Sequence, residues 1–279
     1  MDAVEALAAQ IRGRRVVALT GAGISTESGI PDYRSPEALK RPRRPIQGPE
    51  FVRSADLRRR YWARAMVGWE SFRIAKPGAS HHAIADLERR GAITRVITQN
   101  VDRLHHAAGS QRVIELHGAL AEVVCLDCGA MEDRDALQRR MRELNPDGDT
   151  ARVGSAGAPD GEMAPDGDAE LPDDRINRFV VPGCVACDGV LKPNVVFFGH
   201  NVARPIVDDA FASVDDAEVL LIAGTSLTVF SGYRFLLRAA ERKIPIAIVN
   251  RGPVRGDDRA TLKVEGSTGE TLAALARLT

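Results

Sequence analysis

Cys125, Cys128, Cys184 and Cys187 are the only cysteines of this 279-residue chain, and they fall as two C-x-x-C pairs. Thiolates at that spacing suit a shared tetrahedral metal, because each pair forms a short knuckle that turns two sulfurs toward one point. Redox exchange stays open for either pair taken alone. Two pairs with no cysteine left over favour zinc, and the long span Gly129–Gly183 between them suits a zinc module set inside a larger fold. Cysteines this sparse make a poor disulfide framework.

A second group of chemistry-bearing residues lies nearby. His117 stands in "ELHGAL", just after the apolar "RVIEL". An isolated histidine is ordinarily a packing or surface residue, and that reading is kept for His81, His82, His105, His106 and His200. His117 differs in its neighbours. The stretch "VITQNVDRLHHAAG" supplies Gln99, Asn100 and Asp102, a concentration of hydrogen-bonding groups where a buried strand ends. Turn capping accounts for the Asn and Asp equally well.

The third group opens at Gly21. "RRVVALT" reads as a buried strand, and "GAGISTESGIPDYRS" as a glycine turn opening a helix, the arrangement that presents backbone N–H groups to a phosphate. The dinucleotide fingerprint G-x-G-x-x-G wants a third glycine, but Gly21 and Gly23 are followed by Thr26. A dehydrogenase also needs an acidic ribose anchor about 20 residues after its glycines. Arg41 stands there among basic neighbours.

The elements that must carry these residues alternate. Four apolar runs, "VVALTGAG", "ITRVITQN", "VLLIAGTS" and "IAIVNRG", end in small or polar groups, and helical patterns at 79–90, 202–213 and 231–243 lie between runs. Strand–helix alternation predicts an α/β fold, a parallel sheet covered on both faces, with ligands at the carboxyl ends of the strands. Four such strand ends point to one crevice.

Two segments break the alternation. Residues 40–76 hold eleven Lys or Arg against three acidic residues, and include Trp62 and Trp69, seven apart and so on one helical face, as core packing requires. Residues 145–174 are rich in Asp, Gly and Pro and read as a flexible loop inside the zinc module. The basic segment suits a solvated helical face, an anionic substrate or nucleic acid. A zinc-bearing nucleic-acid binder, however, leaves the four strand ends without a purpose. Lys plus Arg equals Asp plus Glu at 38 each, so bulk charge predicts no polyanionic partner. No apolar run approaches the roughly 20 residues that span a bilayer, and the first fifteen residues lack a signal peptide's basic start and apolar stretch. The expectation is a soluble, cytoplasmic protein with no membrane partner.

"GAGISTESGIPDYRS", "TQNVDRLHHAAG", "ELHG", the two C-x-x-C pairs, "LKPNVVFFG", "GTSLTV" and "IVNRG" occur in the order and at about the distances seen in sirtuins. The chain resembles these NAD-dependent protein lysine deacylases from about Val4 to Ala276, most closely their class II branch. The resemblance implies a Rossmann-like parallel sheet built from about 1–35, 78–120 and 200–279. A small domain comes from a helical insertion at about 36–77 and a zinc module at about 121–199. It implies that NAD is cleaved as a co-substrate. Gly21, Ala22 and Gly23 let the backbone approach the pyrophosphate. Ser25 is among the cofactor-binding residues, and the segment that starts at Thr26 and Glu27 resembles the mobile loop that closes over the nicotinamide ribose, lined by Asp32, Tyr33 and Arg34. Asn100 and Asp102 hold the nicotinamide amide, and Gln99 is a further cofactor-binding residue. Gly224, Thr225 and Ser226 cradle phosphate and ribose, Asn250, Arg251 and Gly252 meet the adenosine side, and Thr268 faces the adenine.

Departure of neutral nicotinamide leaves positive charge at the ribose anomeric carbon, which the acyl oxygen of a modified lysine can attack. A base must then take a proton from a ribose hydroxyl. On the resemblance His117 is that base, and a neutral imidazole suits the task at physiological pH. Zinc held by Cys125, Cys128, Cys184 and Cys187 is then structural, since four thiolates leave no position for water. Residues 194–199, "NVVFFG", resemble the segment that pairs with an extended acyl-lysine peptide. The products are nicotinamide, O-acyl-ADP-ribose and free lysine; protein mono-ADP-ribosyl transfer from the same pocket is the alternative. Surplus arginines at 58, 59, 60 and 64 suggest longer or acidic acyl groups, with Arg60 and Arg64 four apart on one face. The chain departs from the family pattern at Val101, Thr268 and His200, the last standing where an acidic residue is common.

Overall fold

The computed structural model describes residues 2–34, 45–146 and 171–279. In chain order it begins α1 (Ala3–Ile11), β1 (Val16–Thr20), α2 (Gly48–Arg53), α3 (Ala55–Arg73), α4 (Ala79–Arg89) and β2 (Ile93–Thr98). There follow α5 (Leu104–Ala107), β3 (Val113–Glu115), β4 (Gly118–Cys125), β5 (Met131–Asp133), α6 (Arg134–Leu144), α7 (Asp173–Arg178) and β6 (Leu191–Val195). The last part gives α8 (Arg204–Asp216), β7 (Val219–Ala223), α9 (Phe230–Glu241), β8 (Ile246–Asn250), β9 (Leu262–Glu265) and α10 (Thr268–Leu278).

Two compact units emerge, one from Met1–Leu39, Lys76–His117 and Asn201–Thr279, the other from Lys40–Ala75 and Gly118–His200. The larger holds a six-stranded sheet in the order β3-β2-β1-β7-β8-β9, with every neighbouring pair parallel. All five residues of β1, β7 and β8 are buried, as continuous apolar runs require when helices cover both faces. Leu7, Ile11, Ile84, Leu87, Leu272 and Leu275, from α1, α4 and α10, pack against Val16, Val96, Leu221 and Val249 of the strands. Strand order reverses between β1 and β7, and at such a switch point the strand ends splay to leave a crevice.

The smaller unit has its own core and a three-stranded antiparallel sheet, β5-β4-β6. Trp62 and Trp69 of α3 are both buried; their indole N–H groups donate to Leu191 O and Asp135 Oδ1. The guanidinium of buried Arg134 lies over both rings and donates to Ala65 O, so a cation completes this apolar core. Of the acidic stretch 145–174, residues 147–170 lie outside the described residues, as do 40–44 of the basic segment. Its two described ends are tied to neighbouring structure. Asn145 donates to Val180 O and accepts from Val180 N, and Asp173 and Asp174 open α7, where acidic groups favour the helix amino end. Among the described residues, no helix is long and apolar enough to cross a membrane.

Candidate active site

Beyond β1 the chain makes two short 3-10 turns, Ala22–Ile24 and Thr26–Ser28, instead of the expected helix. The cause is close packing against the turn after β7. Gly23 N donates to Gly224 O at 2.8 Å, and Gly224 has φ +60°. A Cβ on Gly23 would lie 2.8 Å from Gly224 O, and one on Gly224 would lie 2.5 Å from Ile24 N. Two backbones touch here with no room for side chains. A second hold follows: Thr26 Oγ1 bonds back to Gly23 O at 3.1 Å, and the left-handed Gly29 ends the second turn.

Ser25 is the hub of the site. Its Oγ lies 2.7 Å from Asp102 Oδ2, 3.0 Å from Asn100 Nδ2 and 3.4 Å from His81 Nε2. His81 Nδ1 accepts from Gly78 N, so the neutral ring carries its proton on Nε2 and donates to the serine. Ser25 therefore accepts from Asn100 and His81 and donates to the Asp102 carboxylate. Asn100 also donates to Gly21 O, and Leu104 N donates to Asp102 Oδ1. The β1 and β2 turns are thereby locked together. Burial pushes the His81 imidazole below its ordinary value, against the pull of Asp102.

His117 follows β3 and is held at both nitrogens. Nδ1 lies 2.8 Å from the Gln99 carbonyl and must be the protonated nitrogen; Nε2 then carries a lone pair, which the Ser231 hydroxyl meets at 2.8 Å. Burial lowers its pKa, the Gln99 carbonyl pulls the other way, and the Arg234 guanidinium lowers it further. Gln99 in turn donates from Nε2 to Thr225 Oγ1, and its amide lies where a Gly232 Cβ would be, 2.5 Å away. Glycine at 232 thus lets the first turn of α9 approach the strand ends.

The structure joins Gly21, Gly23, Ser25, Gln99, Asn100, Asp102, His117, Gly224 and Thr225 in one network at the switch point. The remaining expected residues form local arrangements. Ser226 bonds Thr228, and Asn250 Nδ2 donates to the Arg251 and Gly252 carbonyls, with Arg251 exposed. Asp32 accepts from Arg34 N, while Tyr33 and Arg34 are exposed. Glu27 reaches the amino end of α10, where Ser267 donates to Oε1 and Gly269 leaves room for the carboxylate. Thr268 is buried and accepts from Ser80 at 2.9 Å. His81, Ser80 and Ser231 are site residues that sequence reading missed; only the later strand–helix pattern hinted that their elements start beside the strand ends.

The four cysteines come together. Their sulfurs all lie within 4.8 Å of one another, with Cys125 and Cys187 at 3.6 Å and Cys128 and Cys184 at 3.8 Å. Tetrahedral zinc with Zn–S near 2.3 Å has S–S edges of about 3.8 Å, whereas a disulfide is about 2.05 Å. The knuckles close through Gly129 N to Cys125 O and Asp188 N to Cys184 O. The donor set and spacing fit zinc.

Residues 194–199 are not a plain buried strand. Among the described residues β6 pairs as a strand only with β4, at an edge of the sheet, and beyond it Phe198 is exposed and bridges Gln47. His200 packs its ring on Gly48, where a Cβ would come within 2.4 Å. Of the basic helix, Arg58 holds the Phe51 and Val52 carbonyls, Arg59 pairs with Asp56, and Arg60 is exposed. Arg64, four residues on from Arg60, is half-buried.

The Sir2 family model matches residues 21–231. NAD-dependent protein deacetylase 1 of Mycobacterium avium (strain 104) is 50% identical over 273 residues, covering 97% of this chain and 93% of that protein. Bovine (Bos taurus) NAD-dependent protein lipoamidase sirtuin-4, mitochondrial, is 49% identical over 262 residues, covering 93% and 81%. A solved structure described as Sir2-p53 peptide-NAD+ superposes with a TM-score of 0.75 at 30% identity, over 98% of this chain and 96% of that one.

Proposed function

This chain belongs to the Sir2 family, and from that premise we propose that it is an NAD-dependent protein lysine deacylase with His117 as its general base. The carrying observation is the state of His117: Nδ1–H given to Gln99 O, Nε2 left as the acceptor, and burial and Arg234 keeping the ring neutral. A ribose hydroxyl brought to Nε2 gives up its proton there. NAD, when bound, supplies the electrophilic ribose carbon and the neutral leaving group.

The remaining roles follow from the chain's own groups. Gly21, Ala22, Gly23 and Gly224–Ser226 offer a side-chain-free approach to the pyrophosphate. Asn100 and Asp102, preset by Ser25, hold the nicotinamide end, while Asp32, Tyr33 and Arg34 cover it. Thr26 and Glu27 belong to the same covering loop, and Asn250–Gly252 and Thr268 serve the adenosine side. The larger unit is the NAD-binding domain and the smaller an inserted one, whose four cysteines hold a structural zinc. The segment 194–199 that continues β6, exposed at Phe198 and Gly199, is the proposed partner of an extended acyl-lysine peptide bound by main-chain pairing. The relative described with p53 peptide and NAD+ supports both substrates. Similarity to bacterial deacetylases favours the cytoplasm as the proposed location, while the relative named sirtuin-4 is mitochondrial.

Mass spectrometry after incubation with NAD and acetyl-, succinyl-, glutaryl- and lipoyl-lysine peptides tests the reading. Nicotinamide, O-acyl-ADP-ribose and free lysine are expected, lost in His117→Ala while NAD affinity stays within a few-fold. ADP-ribose attached to protein, with no acyl transfer, would replace deacylation by ADP-ribosyl transfer. NAD affinity abolished in His117→Ala with only modest loss of turnover would make His117 a binding residue.

A further inference from the structure

The Ser231 hydroxyl is the one partner of His117 Nε2 among the described residues, and it comes from α9, 114 residues along the chain. A serine in the first turn of a helix ordinarily bonds solvent or nearby backbone. Here Gly232 removes the side chain that would collide with Gln99, and Ser231 is carried to the ring. We propose that Ser231 is a positioning residue for the reaction, fixing the His117 ring so that Nε2 is the proton-accepting atom and holding that nitrogen after the proton arrives. This rests on His117 being the base.

The chemistry of a hydroxyl suits that position. Gln99 O fixes Nδ1 as the donor in both protonation states, because a carbonyl only accepts. Nε2 must change from acceptor to donor when it takes the ribose proton. A carboxylate at 231 would hold the proton permanently, and an amide N–H or an ammonium would oppose the imidazolium. A hydroxyl reverses its role by rotation. In the resting enzyme it donates to Nε2, the incoming ribose hydroxyl takes its place, and afterwards Nε2–H donates to Oγ. The ribose O–H bond breaks and the Nε2–H bond forms; no covalent bond to Ser231 changes. Ring rotation, which would carry Nε2 away from the substrate, is resisted at both ends before the ribose hydroxyl arrives and after the proton has moved.

Ser231→Ala, Ser231→Thr and His117→Ala test this side by side, reading kcat, the KM for NAD, exchange of labelled nicotinamide into NAD, and thermal unfolding. Exchange reports the steps before the base acts. Ser231→Ala should lower kcat about tenfold, a part of the roughly 10²–10⁴-fold that a positioned base supplies, with exchange, the KM for NAD and Tm nearly unchanged. Ser231→Thr should restore most of the rate. Wild-type kcat in Ser231→Ala while His117→Ala is inactive would overturn the inference. Parallel loss of exchange, NAD affinity and kcat in Ser231→Ala would overturn it too, by showing a structural role. Full turnover in His117→Ala would remove the base assignment and this inference together, a failure that variant alone identifies.

Discussion

Ser25 Oγ donates to Asp102 Oδ2 across 2.7 Å, tying the turn after β1 to the turn after β2. The bond matters because Ser25 is itself saturated, with Asn100 and His81 as donors on its two lone pairs. A single hydroxyl thus holds three polar side chains together at the strand ends.

Ser25→Ala is expected to leave Asp102 and buried Asn100 each short of a partner. An orphaned buried polar group costs about 1–3 kcal/mol. The KM for NAD should rise roughly ten- to a hundredfold, as that energy implies, and the urea midpoint should fall. Steady-state kinetics within twofold of wild type would show that the side chains hold their positions without Ser25.

The strand ends were legible because a buried parallel strand writes a continuous apolar run, and the polar residue ending it must face the crevice. Gly21, Asn100, Gly224 and Asn250 were found that way. The cysteine pairs were legible from spacing alone. The rest depended on contacts distant in sequence. His81 and Ser231 sit at the starts of α4 and α9, where nothing local marks a side chain that reaches another turn. The helix expected after Gly23 gave way to 3-10 turns because Gly224, some 200 residues on, occupies its path. His200 reads as an oddity until Gly48 is seen beneath its ring.

Arg234 gives the His117 reading a pH signature. Its charge lowers the imidazole's pKa, after burial as the larger cause. The base works unprotonated, so kcat rises with pH through that pKa. Arg234→Met removes the cation, the pKa rises, and the acidic limb of the kcat profile should move to higher pH, with the alkaline plateau kept. A limb that stays in place or moves to lower pH would show that Arg234 does not act on the base.

His105 predicts a pH dependence of stability. It is 2% exposed, bonds Thr20 Oγ1 through Nε2, and stands edge-on to His81 at 5.1 Å. Burial, with the neighbouring histidines, drives its pKa well below 6.5. The unfolded chain takes up a proton below that value and the fold does not. The contribution is therefore complete above about 6.5 and lost as pH falls through the folded value. Urea midpoints should drop between pH 7.5 and 5.5, with a slope of up to about 1.4 kcal/mol per pH unit from this group. His105→Leu should flatten the dependence, and an unchanged slope would place it elsewhere.

Metal analysis of freshly purified protein is expected to find one zinc per chain. Cys128→Ser removes one of four sulfurs and should cost metal, solubility and activity together, since binding energy at such sites is folding energy. Active protein without zinc, or a thiol count that rises on reduction, would dismiss the structural zinc.

Gly224 and Gly252 separate two reasons for glycine. Both have positive φ, +60° and +75°. Nothing lies within 4 Å of a Cβ on Gly252, but one on Gly224 would sit 2.5 Å from Ile24 N and 2.7 Å from Ile24 Cγ2. Gly252→Ala should therefore cost only the left-handed backbone penalty, about 1–2 kcal/mol, with NAD affinity close to wild type. Gly224→Ala adds a collision with backbone, which cannot be relieved by turning a side chain. The turn after β1 has to move, and Gly23, Ser25 and Asn100 move with it. NAD affinity should fall at least tenfold more in Gly224→Ala than in Gly252→Ala, and the urea midpoint should fall further. Calorimetric NAD titration of the two variants decides the point: equal losses would mean that backbone conformation alone, and not the close approach of the two turns, demands glycine at 224.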